Sequence, residues 1–184
     1  KHSELCRINA INRQLAINED ANYLRSLGDV FITEPRNAGK LMKRAKETTV
    51  NSKGKINKKK RFGRSIKNRC PSGFQSTVEE KFKTTGGTYI EVPDDYRASQ
   101  YDHTADDYIK KKLSDRMYHL SDGTLVQRDW YSSFLLYCYD CRTRNIDRDR
   151  CISEFEECYS KEEALIKRIK INRIKVLNSG IKIV

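Results

Sequence analysis

Hydrophobic positions recur at helical spacing at the start of the chain. Leu5, Ile8, Ile11 and Leu15, then Leu24 and Leu27, predict a helix that Gly28 ends in a left-handed cap. The following DVFIT is a short continuous apolar run, the pattern of a buried strand, and it stops at Glu34. Pro35, in EPRN, cannot continue a central ladder. Pro71 opens a second helix at a favoured first-turn position, with Phe74, Val78 and Phe82 at four-residue steps, and Gly86-Gly87 ends it. TYIEV reads as a second strand, closed by Pro93 and Asp94-Asp95. From Arg97 to Gly123 the pattern is polar and irregular, with a short helix expected around Tyr108 to Tyr118. In VQRDWYSSFLLYC, Val126, Trp130, Phe134 and Cys138 mark one face of a core-facing helix, which Leu135 broadens. A charged, partly amphipathic segment follows from Asp147 to about Ile174, in which Ile152, Phe155, Tyr159 and Ile166 share a face. No internal repeat is expected.

The order helix, strand, helix, strand, helix predicts an α/β layer fold with strands joined by crossovers. Such a sheet carries polar chemistry at strand ends, which draws attention to Glu34. Asp129 stands beside Trp130 in the first turn of its helix, near the rim of the buried face, where an unpaired carboxylate is costly to desolvate. By periodicity alone it is a helix N-terminal carboxylate suited to the macrodipole and paired with Arg128 or another base.

With 184 residues, 37% of them hydrophobic, the chain fits one modest core despite its low mean hydropathy. No run has the length of a membrane span and the N-terminus has no signal-peptide pattern. A soluble protein of the cytoplasm or nucleoid, with no membrane partner, is expected. The start at Lys1, almost directly inside a helix, suggests a piece of something longer.

The formal charge of +12 favours an acidic polymer as partner. Its distribution sharpens this. From about 40 to 70 the chain carries Lys43, Arg44, Lys46, Lys58, Lys59, Lys60, Arg61, Arg64, Lys67 and Arg69, among other cations, against the single acid Glu47. A solvated, disordered linker is one reading of this segment. Phe62 and the regular flanks favour the other, a basic insertion within a fold that contacts nucleic acid.

Other residues invite simpler explanations. His103, near Asp102, Asp106 and Asp107, reads as a solvated histidine in a polar loop. Gly86-Gly87 lacks the Lys-Ser/Thr of a phosphate loop. Trp130 and Tyr131 could stack on bases, but the spacing of Trp130 points to core. Among the six cysteines, Cys138, Cys141, Cys151 and Cys158 include the two-residue gap of CYDC, a weak zinc signal. Reduced, structural thiols are expected.

The segments GDVFITEPRNAGKLMKRAK, KKKRFGRSIKNRCPSGF, KFKTTGGTYIEV, ASQYDHTADDYIKKKLSDR and VQRDWYSSFLL, in this order and spacing, resemble the C-terminal half of TnpB-type proteins. These are transposon-encoded, RNA-guided DNA endonucleases related to type V CRISPR effectors and often described as transposases. The resemblance runs from about Leu15 to Tyr137. It implies a partial RuvC-like nuclease of the RNase H-like fold over 1–142, with the basic insertion at about 40–70 and a charged helical tail over 143–184. Three acids are implied in such a site. Glu34 matches the second, which ends a strand, and Asp129 the third, which lies on a helix. Both would be catalytic carboxylates in a two-Mg²⁺ site, because Mg²⁺ prefers hard oxygen ligands and a pair of ions stabilises attacking and leaving oxygens. DNA and a guide RNA are the implied partners.

The sequence departs from this pattern twice. The first acid, carried by an upstream strand, has no counterpart, so the Mg²⁺ site is incomplete and a further N-terminal polypeptide segment would have to supply it. A four-cysteine zinc ribbon, common in the family just before the third acid, is degenerate here over about 97–124, which contains no cysteine, so zinc is not expected. A nuclease-dead nucleic-acid-binding relic or repressor-like protein is the alternative. An unrelated basic RNA-binding protein is a third.

Overall fold

The computed structural model describes residues 2–43, 47–57, 63–112 and 114–183, without the side chains of His2, Lys40, Leu41 and Arg64. The fold is mixed α/β, built from helices and small two-stranded sheets, in two compact units, Lys1–Glu91 and Val92–Val184.

In the first unit, α1 (His2–Leu27) leads into β1 (Val30–Thr33). Two short helices, α2 (Ala38–Met42) and α3 (Gly63–Arg69), flank the basic insertion, and α4 (Pro71–Thr84) leads into β2 (Thr88–Glu91). The strands expected at DVFIT and TYIEV both form, and they pair in parallel with Val30 opposite Thr88 and Thr33 opposite Glu91. Parallel strands need a crossover, and here it contains α4. Val78 and Phe82 of α4 pack on Ala21 of α1, with Leu24, Phe31, Phe74 and Tyr89 around them.

The apolar face of α1 is not the one expected. Leu5, Ile8, Ile11, Leu15 and Leu27 are exposed, while Ile17 and Ala21 are buried. The face is chosen by α4, which packs on the helix through Ala21 and Leu24. Gly28 is not left-handed, and Arg25 instead donates from Nη1 to the Gly28 carbonyl at 3.1 Å. Gly86 does turn left-handed after α4, at φ 76°. Gly87 is required by space: a Cβ there would lie 2.9 Å from Phe82 Cδ1 and 3.0 Å from the Asp29 carbonyl oxygen.

Among its described residues the second unit contains three antiparallel hairpins. These are β3 (Tyr101–Asp102) with β4 (Asp107–Tyr108), β5 (Met117–His119) with β6 (Leu125–Gln127), and β7 (Tyr139–Asp140) with β8 (Asn145–Ile146). Helix α5 (Arg128–Tyr137) follows β6 directly, and α6 (Arg148–Ile171) follows β8. Val126, Tyr131, Phe134, Leu135, Cys138, Cys151 and Phe155 share one core with Ala98, Tyr101 and Leu120. The segment expected as a charged tail thus packs into this core through the start of α6. Cys151 and Phe155 provide its buried face, and Ile152 points outward with 55% exposure. Trp130 packs at the core margin, stacked on Phe134 with ring centroids 5.8 Å apart.

One further expectation changes. No helix forms between Tyr108 and Tyr118 among the described residues: the hairpin pairing claims both ends, with Tyr108 in β4 and Met117 and Tyr118 in β5. Two of the hairpins share a local geometry. The hairpins 101–108 and 139–146 both begin Tyr-Asp. Each turns left-handed six residues in, at Asp106 and Arg144, and in each the first aspartate accepts from the backbone N–H two residues on.

Among the described residues, no helix is long and apolar enough to cross a membrane.

Candidate functional site

Asp129 occupies the first turn of α5, where a carboxylate suits the helix N-terminus. Its side chain is 62% exposed, so the desolvation cost expected from the rim position does not arise. Trp130, the next residue, turns toward the core, and one residue along a helix is about 100° of rotation. Arg128 donates to Asp129 Oδ1 from Nη2 at 3.1 Å and from Nε at 3.2 Å, and Arg116 Nη1 lies 3.8 Å from Oδ2. The carboxylate therefore already has two cationic neighbours.

Gln127 caps the same helix end. Its Oε1 accepts from the Trp130 N–H at 2.6 Å, while Nε2 donates to the Ser179 carbonyl at 3.3 Å and reaches Asp129 Oδ2 at 3.5 Å. Glu162 of α6, buried at 5% exposure, lies against the Gln127 backbone N–H and leaves its Oε1 without a partner. Burial pushes its carboxyl up to about 7, with Gln127 opposing the shift.

The folded pKa of Glu162 lies above the unfolded value near 4.5. Its contribution to stability is therefore complete below about 4.5 and is lost as pH rises through about 7. Glu162→Gln should remove that decline, which urea unfolding between pH 5 and 8 would measure; an unchanged slope would contradict the assignment.

Glu34 follows β1 directly, in the first unit. It is exposed, yet the surrounding protein desolvates it enough to raise its carboxyl pKa, with Arg36 pulling the other way.

Of the basic residues, Lys43, Lys67 and Arg69 are exposed, and Arg64 lies in α3. Arg44, Lys46, Lys58, Lys59, Lys60 and Arg61 lie outside the described residues. Between them the insertion is structured: Asn57 N–H bonds the Thr49 carbonyl at 2.9 Å, Val50 bridges Ile56, and Gly54 turns left-handed.

His103 is buried at 3% exposure and is no solvated loop residue. Its Nδ1 lies within hydrogen-bond distance of Tyr131 Oη, at 2.7 Å, and Oη also accepts from the His103 backbone N–H at 3.1 Å. Burial lowers its pKa against the pull of Asp102 and Asp122, and Arg148 adds to the lowering. Asp102, at 1% exposure, joins two hairpins. Its Oδ1 accepts from Thr104 N and Oγ1, and its Oδ2 from Ser121 N and Oγ, at 2.7–3.0 Å. Burial would raise its pKa, and these hydrogen bonds outweigh burial and lower it. The Lys111 ammonium sits 3.5 Å from the Tyr118 ring centroid, a cation–π contact inside the same unit.

The six cysteines stand as free thiols, with Cys138 and Cys151 buried and Cys141 exposed. Among the described residues, no three His, Cys, Asp or Glu side chains come together in a group able to hold a metal ion.

Gln127, Glu162 and Ser179 escaped the reading from sequence, and Asp102 entered it only as an acidic neighbour of His103. Compared with known proteins, the chain matches no family model and no curated protein.

Proposed function

We propose that this chain is the C-terminal part of a TnpB-type, RNA-guided DNA endonuclease with a partial RNase H-like fold, hydrolysing phosphodiesters with Mg²⁺ once the missing first acid is supplied. The observation that carries the reading is the position of its two matched acids: Glu34 directly follows a parallel strand, and Asp129 lies exposed in the first turn of a helix. The basic insertion, beginning and ending in short helices, supports a nucleic-acid partner.

Carboxylate oxygens are the donor chemistry Mg²⁺ takes. Under this reading Glu34 and Asp129 are the two donors this chain contributes, and the first acid comes from a further polypeptide segment. In that setting Asp129 and Glu34 would each ligate Mg²⁺, which would activate water toward the phosphodiester. The guide would pair with target DNA, and the cations of the insertion would grip the backbone.

A second reading, a nuclease-dead nucleic-acid-binding or repressor-like protein, is favoured by the two arginines beside Asp129, which take up the charge a metal would meet.

The two readings part on one comparison. With the first acid restored, Asp129→Ala and Glu34→Ala should each lower Mg²⁺-dependent DNA cleavage by roughly a hundredfold or more while leaving nucleic-acid affinity within a few-fold. Cleavage that persists in both variants would overturn the nuclease reading, and binding without any cleavage would favour the second.

A further inference from the structure

We infer that Gln127 is a positioning residue for Asp129, held in register by a strap formed by residues 178–181. That this positioning serves metal-dependent cleavage rests on the nuclease reading; the positioning itself does not.

Gln127 is buried at 8% exposure, and its amide is oriented by partners of opposite kind. The oxygen takes the Trp130 N–H at 2.6 Å, and the nitrogen faces the Ser179 carbonyl and the Asp129 carboxylate. A flipped amide would set its oxygen against two acceptors and its N–H₂ against a donor, so a single orientation satisfies the group. One side chain thereby links the helix cap, the carboxylate of the candidate acid and a backbone carbonyl fifty-two residues further on.

The strap is shaped for this position. Asn178 is left-handed at φ 59°, and Ser179 Oγ donates to the Val176 carbonyl at 2.9 Å while accepting from the Ile181 N–H at 3.1 Å. Gly180 then passes so close to β5 that a Cβ would lie 2.7 Å from Arg116 Cβ and 3.1 Å from Met117 Cγ, at a φ of 78° that disfavours any side chain. Arg116, pressed by Gly180, is also the residue whose guanidinium approaches Asp129 and whose carbonyl accepts the Arg128 N–H at 2.9 Å. The strap thus meets both residues that set the surroundings of Asp129 from outside its helix.

The test uses the full chain and reads two local probes by NMR, amide exchange at Trp130 and the carboxyl ¹³C shift of Asp129. Gly180→Val and Gln127→Leu should each speed exchange at Trp130 by about tenfold, the size expected for a lost N-cap, and should move the Asp129 carboxyl resonance. Exchange at Cys151, whose N–H bonds the Asp147 carbonyl at 3.0 Å in the first turn of α6, should stay within twofold. Gln127→Glu keeps the acceptor and should preserve Trp130 protection while still moving the Asp129 resonance. Should Gly180→Val unfold the unit, the two Gln127 variants decide alone. An unchanged Trp130 amide and Asp129 carboxyl in Gln127→Leu, or equal exchange increases at Trp130 and Cys151, would overturn the proposal. Mg²⁺-induced shifts at Asp129 in the unaltered chain test the nuclease reading separately, so either can fail without the other.

Discussion

Replacing Asp102 by alanine should destabilise the second unit by about 3 kcal/mol, because the carboxylate accepts four hydrogen bonds at 1% exposure and its loss strands the backbone N–H groups of Thr104 and Ser121. For a unit of this size the midpoint of thermal unfolding should fall by on the order of 10–20 °C. Trp130, the chain's one tryptophan, lies in this unit and reports its unfolding by fluorescence. Ser121→Ala removes a single hydroxyl and should cost only about 1 kcal/mol. A loss no larger in Asp102→Ala than in Ser121→Ala would show that water replaces the carboxylate at little cost. Asp102 also gives an acid limb: its folded pKa is lowered, so its contribution is present above about 3.8 and is lost as pH falls through the folded value. His103 acts in the same direction at higher pH, since its lowered pKa makes its contribution complete above about 6.5 and lost on acidification.

Exchanging Lys58, Lys59, Lys60 and Arg61 for glutamine together should weaken nucleic-acid binding by on the order of a hundredfold at low salt, and should flatten the slope of log affinity against log salt by about 3. The argument is electrostatic. Each cation that neutralises a phosphate releases a condensed counterion, and four adjacent cations without an intervening acid are placed to do so together. Filter binding between 50 and 200 mM salt, as a trial range, measures both quantities. An unchanged slope would mean that the insertion is a solvated linker and that the phosphate contacts lie elsewhere.

The parts of the fold legible in the sequence are those in which one local signal dominates. Pro71 with Phe74, Val78 and Phe82 marked α4, and the apolar runs marked β1 and β2. Where the outcome depends on a partner, the pattern misleads. Leu5, Ile8, Ile11 and Leu15 are as periodic as any stripe in the chain, yet they are exposed because α4 packs instead against Ala21 and Leu24. Ile152 lost its place to Cys151 because the small thiol fits against Cys138 in the shared core. Hairpins of two or three residues per strand are set by turn geometry, which the polar stretch after Arg97 conceals.

The candidate site divides in the same way. Glu34 and Asp129 entered through the resemblance; by spacing alone Asp129 reads as a helix N-terminal carboxylate paired with Arg128, and Arg128 does pair with it. Gln127 and Ser179 were not legible, since a hydrogen bond between residues so distant in sequence leaves no periodicity. His103 was misread because its acidic neighbours suggested solvent, whereas Tyr131, Phe134 and Phe155 enclose it.

The measurement that tests the central claim most directly is DNA cleavage by the polypeptide as its host produces it, with the RNA that co-purifies, in Mg²⁺ and in a chelator. The account predicts cleavage in Mg²⁺, directed by the sequence of that RNA and abolished by the chelator. Cleavage indifferent to both metal and RNA, or a preparation that binds no nucleic acid at all, would contradict it.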